Sequence, residues 1–178
     1  MAQIQLMDLL LERSKLAPGS TVLDVGCGIG GTSRYLAQKY ECAVTGITIS
    51  GRQVEMAKSL TAKAATTGPD NVDGIGKPVD EAGFHALNKG KARYIELDAE
   101  KMGEYFKNPP NQATFDGVWI SEAMSHLPDK KLFFQNAFAV LNSVGKLAVA
   151  DWFKAEGLTD AQMEADIKPI EGQASLRP

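Results

Sequence analysis

The stretch from Thr21 to Gln53, TVLDVGCGIGGTSRYLAQKYECAVTGITISGRQ, constrains this chain more than any other. An apolar run, Thr21-Val22-Leu23, ends on Asp24 and leads straight into Gly26, Gly28, Gly30 and Gly31. An amphipathic segment follows from about Thr32 to Tyr40, then a second apolar run, Ala43 to Ile47. Strand, glycine turn, helix and strand in this length make a βαβ unit, whose two strands lie parallel in one sheet. Glycines at the first junction permit a sharp turn and let a ligand approach backbone where any Cβ would collide. The helix that begins there presents unpaired N–H groups to that ligand. The stretch therefore implies an α/β fold with a nucleotide-type cofactor site at the end of its first strand.

The glycine spacing admits two cofactor classes. Gly26, Gly28 and Gly31 satisfy the dinucleotide pattern G-x-G-x-x-G, while Gly26, Gly28 and Gly30 satisfy G-x-G-x-G. Asp24 favours the second, because a carboxylate beside a pyrophosphate repels it and a cationic ligand head welcomes it. A nicotinamide site also wants an acid at the end of the second strand for the ribose hydroxyls, and Thr48 stands there. Arg52 suits a 2′-phosphate, so an NAD(P)-dependent oxidoreductase stays open as an alternative.

Asp24-Val25-Gly26-Cys27-Gly28-Ile29-Gly30 resembles the first motif of class I S-adenosylmethionine-dependent methyltransferases. Gly46-Ile47-Thr48-Ile49-Ser50 through Gln53, and Ser121-Glu122 through His126-Leu127-Pro128-Asp129-Lys130, resemble the tocopherol methyltransferase group. The cyclopropane-fatty-acid and mycolic-acid synthases are more distant relatives. The resemblance implies a Rossmann-like doubly wound sheet, with S-adenosyl-L-methionine as cofactor and no metal. It also implies roles: Asp24 for the amino end of the cofactor, and Gly26, Cys27, Gly28 and Gly30 for close backbone approach. Thr48, Ile49, Ser50 and Gln53 are further cofactor-binding positions, with Gln53 taking the ribose in place of the acid absent at Thr48. Asp98 and Ala99 take the adenine, and Ser121 lines the gap toward the methionine moiety.

At 178 residues with 44% hydrophobic content, one domain with an ordinary core is expected. A net charge of −3 with interspersed signs gives no hint of a nucleic-acid or membrane-surface partner. No apolar run reaches membrane-spanning length and no leader opens the chain, which points to a cytoplasmic protein. Cys27 and Cys42 are too few for a disulfide framework and read as reduced thiols.

Residues 2–15 read as a helix too densely apolar to be solvated, and Pro18-Gly19 turns the chain into the first strand. Ser50-Gly51-Arg52-Gln53 fits a capping box, which gives Gln53 a second, purely local role. Residues 66–90 hold turn chemistry with little periodicity and read as a long loop insertion, with His85 solvated within it. Ala92 to Leu97 is the third strand, ending at Asp98, which also suits a helix cap. Phe115 to Ile120 is the fourth. The next helix is expected to stop at Asn142 and Gly145, so that the fifth strand is Lys146 to Ala150.

His126, after the fourth strand, is the histidine placed to matter. An imidazole suits a general base, although in related enzymes a histidine here often orders the loop, and that is the expected role. The methyltransferase core is set at residues 1–155, with a short helix and tail at 156–178. Strands 3-2-1-4-5 are thus present and no later run supplies strands six and seven, as in a C-terminally shortened relative. The expected function is methyl transfer to a small, fairly apolar acceptor at O, N or C. A cofactor-binding partner protein with little transfer activity is the alternative. The open edge of the fifth strand is expected to invite self-association or a partner.

Overall fold

The computed structural model describes residues 2–66, 79–152 and 155–169. Along the chain these form α1 (Ala2–Ser14), β1 (Thr21–Val25), α2 (Gly31–Tyr40), β2 (Ala43–Thr48), α3 (Gly51–Thr66), β3 (His85–Leu87) and β4 (Gly90–Glu96). Then come α4 (Met102–Lys107), β5 (Phe115–Ser121), α5 (Lys130–Val140), β6 (Leu141–Ala150) and α6 (Asp160–Gln162). The strands pair in the order β3-β4-β2-β1-β5-β6. All neighbours run parallel except β3, which is antiparallel to β4.

Both faces of the sheet are covered, as parallel strands require. Alternation along β1 sends Val22 to one face and Leu23 and Val25 to the other. The first face packs on Leu11 of α1, Leu36 and Ala37 of α2, and Val54 and Ala57 of α3. The second packs on Met102 and Phe106 of α4 and on Phe133, Ala137 and Val140 of α5. At the amino end of the sheet, Asp116 accepts from the Thr21 amide and Oγ1, each at 2.8 Å, and from Asn142 Nδ2. These bonds tie β1, β5 and β6 together and hold the Asp116 carboxyl below its usual range. That knot lies far from the carboxyl ends where open sheets of this kind bind ligands.

Several expectations change. Residues 66–90 are not one loop: α3 reaches Thr66, and β3 adds an antiparallel edge strand to the five foreseen. His85 is accordingly a half-buried strand residue, whose pKa is lowered by burial, rather than a solvated one. Residues 67–78 lie outside the described residues. The last long helix stops at Val140, before Asn142 and Gly145, and β6 begins at once at Leu141. Those two residues sit instead in an irregular start to β6, where its pairing with β5 shifts register.

The first helix is less buried than its sequence suggests. Of its residues only Leu11 is fully buried, and Ile4 and Leu9 are each 47% exposed. One face holds it: Met7 and Leu10 pack on the core, and Asp8 accepts from the hydroxyls of Tyr35 and Tyr40.

Candidate cofactor site

The turn after β1 is built by conformation as much as by contact. Gly26, Gly28 and Gly30 have φ of +72°, +54° and +79°, the left-handed region that favours glycine. The amides of Gly26 and Cys27 both donate to the Ile47 carbonyl, at 2.9 and 3.0 Å, so β2 pins the turn to the sheet. A Cβ at Gly26 would lie 2.5 Å from Ala123 Cβ, whereas one at Gly28 would meet nothing within 4 Å. The apex of the turn thus faces open space. Gly30 caps α2 without a side chain, leaving the first helical N–H groups uncapped.

Asp24 lies beneath this turn, 3% exposed, and accepts from Ser33 Oγ at 2.6 Å. Burial raises its pKa from 3.8 to about 6, with the Ser33 bonds opposing the rise. A buried carboxylate gains most from a cation brought beside it, because little water screens the pair. Cys27 is no nucleophile: burial pushes its thiol well above the usual range, and its Sγ faces the Gly28 carbonyl at 3.7 Å.

At the end of β2, Thr48 links two expected contacts. Its Oγ1 donates to Gln53 Oε1 at 2.7 Å and accepts from the Ser50 amide at 3.3 Å. The Gln53 amide donates to Ser50 Oγ, so one arm of the capping box forms. The reciprocal arm does not: Thr48, not Gln53, takes the Ser50 N–H. Gln53 therefore keeps its side-chain NH2 group to donate elsewhere. Ile49, beside them, is 75% exposed at the carboxyl edge.

Asp98, at the end of β4, caps the short 3-10 turn Ala99–Lys101 by accepting from the Glu100 amide at 2.9 Å. Asn136 of α5 fixes that turn by donating to the carbonyls of Ala99 and Glu100, at 3.3 and 2.8 Å. On the far side of β1, Ser121 ends β5 and is half-buried. The chain then passes through Glu122, with φ of +54°, into the 3-10 turn Met124–His126. Asp151 Oδ2 accepts from the amides of Met124 and Ser125, at 2.7 and 3.2 Å, and holds this turn. The His126 ring is exposed and makes no hydrogen bond to any described residue.

Parallel register brings Asp24, Thr48, Asp98 and Ser121 to one edge of the sheet. The chain leaves β1 toward β2 on one side and reaches β5 on the other, so the crevice opens at the glycine turn. His126 shares that edge, but among the described residues no side-chain hydrogen bond joins it to the rest. The mycolic acid cyclopropane synthetase family matches residues 1–81. A Synechocystis 2-methyl-6-phytyl-1,4-hydroquinone methyltransferase is 40% identical over 77% of this chain and 33% of its own length. A probable chloroplastic tocopherol O-methyltransferase of Oryza sativa is 30% identical over 74% of this chain and 29% of its own. The cyclopropane synthase MmaA2 of Mycobacterium tuberculosis superposes with a TM-score of 0.62 at 25% identity, covering 92% of this chain and 46% of that one.

The chain belongs to the class I S-adenosylmethionine-dependent methyltransferases. It sits with the tocopherol methyltransferases and cyclopropane synthases, and spans about a third of the length of the two curated relatives above. These relatives leave the nicotinamide alternative without support. In methyltransferase terms the residues fit the family's cofactor: the open space at Gly28 admits a ligand to the backbone, and Asp24 offers a sheltered carboxylate. Sequence reasoning missed Asp151, Asn136, Arg34 and Tyr94, which hold the turns that carry the site. Asp151 had a legible signal, an acid directly after the last strand. The others meet their partners only in the fold.

Proposed function

We propose that this chain binds S-adenosylmethionine and transfers its methyl group to a small, fairly apolar organic acceptor. The observation that carries the reading is the pairing of a buried Asp24 with a glycine turn whose apex faces open space. Asp24 would hold the ammonium end, and the turn would lie along the cofactor's body. The Gln53 NH2 group would donate to ribose, Ile49 would cover the adenine face, and Asp98 with the Ala99 amide would read its edge. When bound, the cofactor supplies a methyl group on a sulfonium, which loses its charge as the methyl leaves. The chain's part is mostly orientation, which can supply several kcal/mol of a barrier. Ser121 would line the approach, and His126 would be the candidate to receive a proton leaving the acceptor. The hydroquinone substrate named for the cyanobacterial relative makes phenols and hydroquinones the first acceptors to try.

Calorimetry with S-adenosylhomocysteine and with NADPH tests the cofactor. Affinity for NADPH alone would overturn the reading. Mass spectrometry for products heavier by one methylene, on a panel of phenols, hydroquinones and amines, tests the transfer.

A second reading is favoured by the β6 edge, along which no described residue pairs. Beside it Phe138, Val144 and Trp152 are 83%, 76% and 78% exposed. An open strand edge flanked by apolar side chains is an association surface. On this reading the chain supplies the cofactor half of a site that is completed by a second copy or a partner. Sedimentation at micromolar concentration separates the two: a monomer with robust transfer excludes the second.

A further inference from the structure

The glycine turn is gripped from below by a side chain that stands outside the motif. Tyr94 of β4 is 5% exposed, and its ring lies under the turn. A Cβ at Gly30 would come within 2.5 Å of Tyr94 Oη and 2.7 Å of Cε1, and one at Gly46 within 2.8 Å of Cδ1. Gly30 and Gly46 therefore clear the slot that the ring fills. The Tyr94 hydroxyl reaches Thr61 Oγ1 of α3 at 2.9 Å and the Gly30 carbonyl at 3.5 Å. Arg34 of α2 donates from Nη1 to the Ile29 carbonyl at 2.8 Å and to Thr61 Oγ1 at 3.4 Å. One connected set of polar groups, drawn from three elements, thus holds two successive carbonyls of the turn.

A trans peptide points its N–H opposite its C=O. The Gly30 carbonyl also accepts the Arg34 amide of α2 at 3.0 Å, so helix and clamp together fix this peptide and aim the Gly31 N–H away from Tyr94. At Gly31 a Cβ would meet nothing within 4 Å, so the start of α2 has open space beside it. We propose that Tyr94, through the Thr61–Arg34 network, is a positioning residue that presets the glycine turn to receive the adenosyl cofactor. The inference rests on the cofactor reading above. Preset donors need no ordering on binding, so the clamp acts on affinity rather than on the chemical step.

The test is Tyr94→Phe, which keeps the ring and removes the hydroxyl, with Thr61→Val as a second route into the network. Well below the unfolding midpoint, each variant is expected to bind S-adenosylhomocysteine about tenfold more weakly, the worth of one hydrogen bond. The double variant is expected to lose little more than either single one, because both cut one network. Amide hydrogen exchange at Gly28–Gly31 in the unliganded chain is expected to quicken in both. A KM for the methyl donor that rises while the acceptor KM stays fixed supports the same role. Unchanged affinity and unchanged exchange in Tyr94→Phe would overturn it, as would a lowered melting temperature with affinity intact. If the unsubstituted chain fails to bind S-adenosylhomocysteine, the cofactor reading falls, and the exchange measurement alone decides the clamp.

Discussion

The two sides of the crevice are made to different standards. On the β1–β2 side the glycine turn is held by the Ile47 carbonyl, by Arg34 and by Tyr94, over a carboxylate that is 3% exposed. On the β5–β6 side the turn carrying His126 is held by Asp151, by the Glu122 amide on the Ala150 carbonyl and by the buried Met124, while Glu122, Ser125 and His126 are exposed. Buried, multiply bonded turns keep their shape without a ligand, while turns with more exposed side chains lie nearer the less stable end of a fold. On the proposed function, the difference means that the cofactor side is preset in the chain and the acceptor side is less so.

Breaking the strong side should have the largest effect. Gly28→Val puts a branched side chain into the space at the apex and onto a backbone at φ +54°. Affinity for S-adenosylhomocysteine should fall by at least about a hundredfold. Calorimetry measures it, with circular dichroism confirming the fold, and a folded variant that still binds would show that the turn is not the site.

Next comes Asp24, where binding and stability pull in opposite directions. Its folded pKa of about 6 lies above 3.8, so this group lowers stability as pH rises from about 4 to 6. The penalty, about 3 kcal/mol in full, persists at neutral pH. Asp24→Asn should therefore raise the melting temperature at pH 8 while weakening binding of the cationic methyl donor. In the unsubstituted chain that binding should be strongest above pH 6 and weaken toward tenfold per unit below it. A flat profile would remove Asp24 from the ammonium.

On the weak side the effects shrink. Asp151→Ala frees the amides of Met124 and Ser125 and should loosen that turn by about 1 kcal/mol. The acceptor KM should rise with cofactor affinity unchanged, as steady-state kinetics against calorimetry would show. His126→Ala should change S-adenosylhomocysteine affinity by less than about twofold, as for most exposed positions. The expectation that His126 orders the site finds no hydrogen bond among the described residues to rest on. If turnover nonetheless falls by about a hundredfold, the ring is the base.

What the sequence made legible follows from range. The βαβ unit, its glycines and the Ser50 cap on the Gln53 amide are local, and their periodicity and turn chemistry can be read in a window of residues. Tyr94 meets Gly30 across 64 positions and Thr61 across 33, so nothing near Tyr94 announces the clamp. β3 was hidden because three residues among turn formers are too few to show alternation. Asn142 and Gly145 misled because the residues that stop a helix also suit an irregular strand start. The Asp24 carboxylate was placed correctly at the strand end, but its burial against Ser33 depends on how α2 packs.

The unlike edges of the sheet set a rule for assembly. One carries β3, three residues that cover Gly90–Ala92 of β4, with Lys89 and Lys91 nearby in ion pairs to Glu41 and Asp80. The other is the ten-residue β6. If pairing is confined to the longer β6 edge, the chain has a single valence. Two copies joined edge to edge through β6 would satisfy each other about a twofold axis and leave nothing for a third. Backbone pairing would then end in a closed pair and not in a fibre.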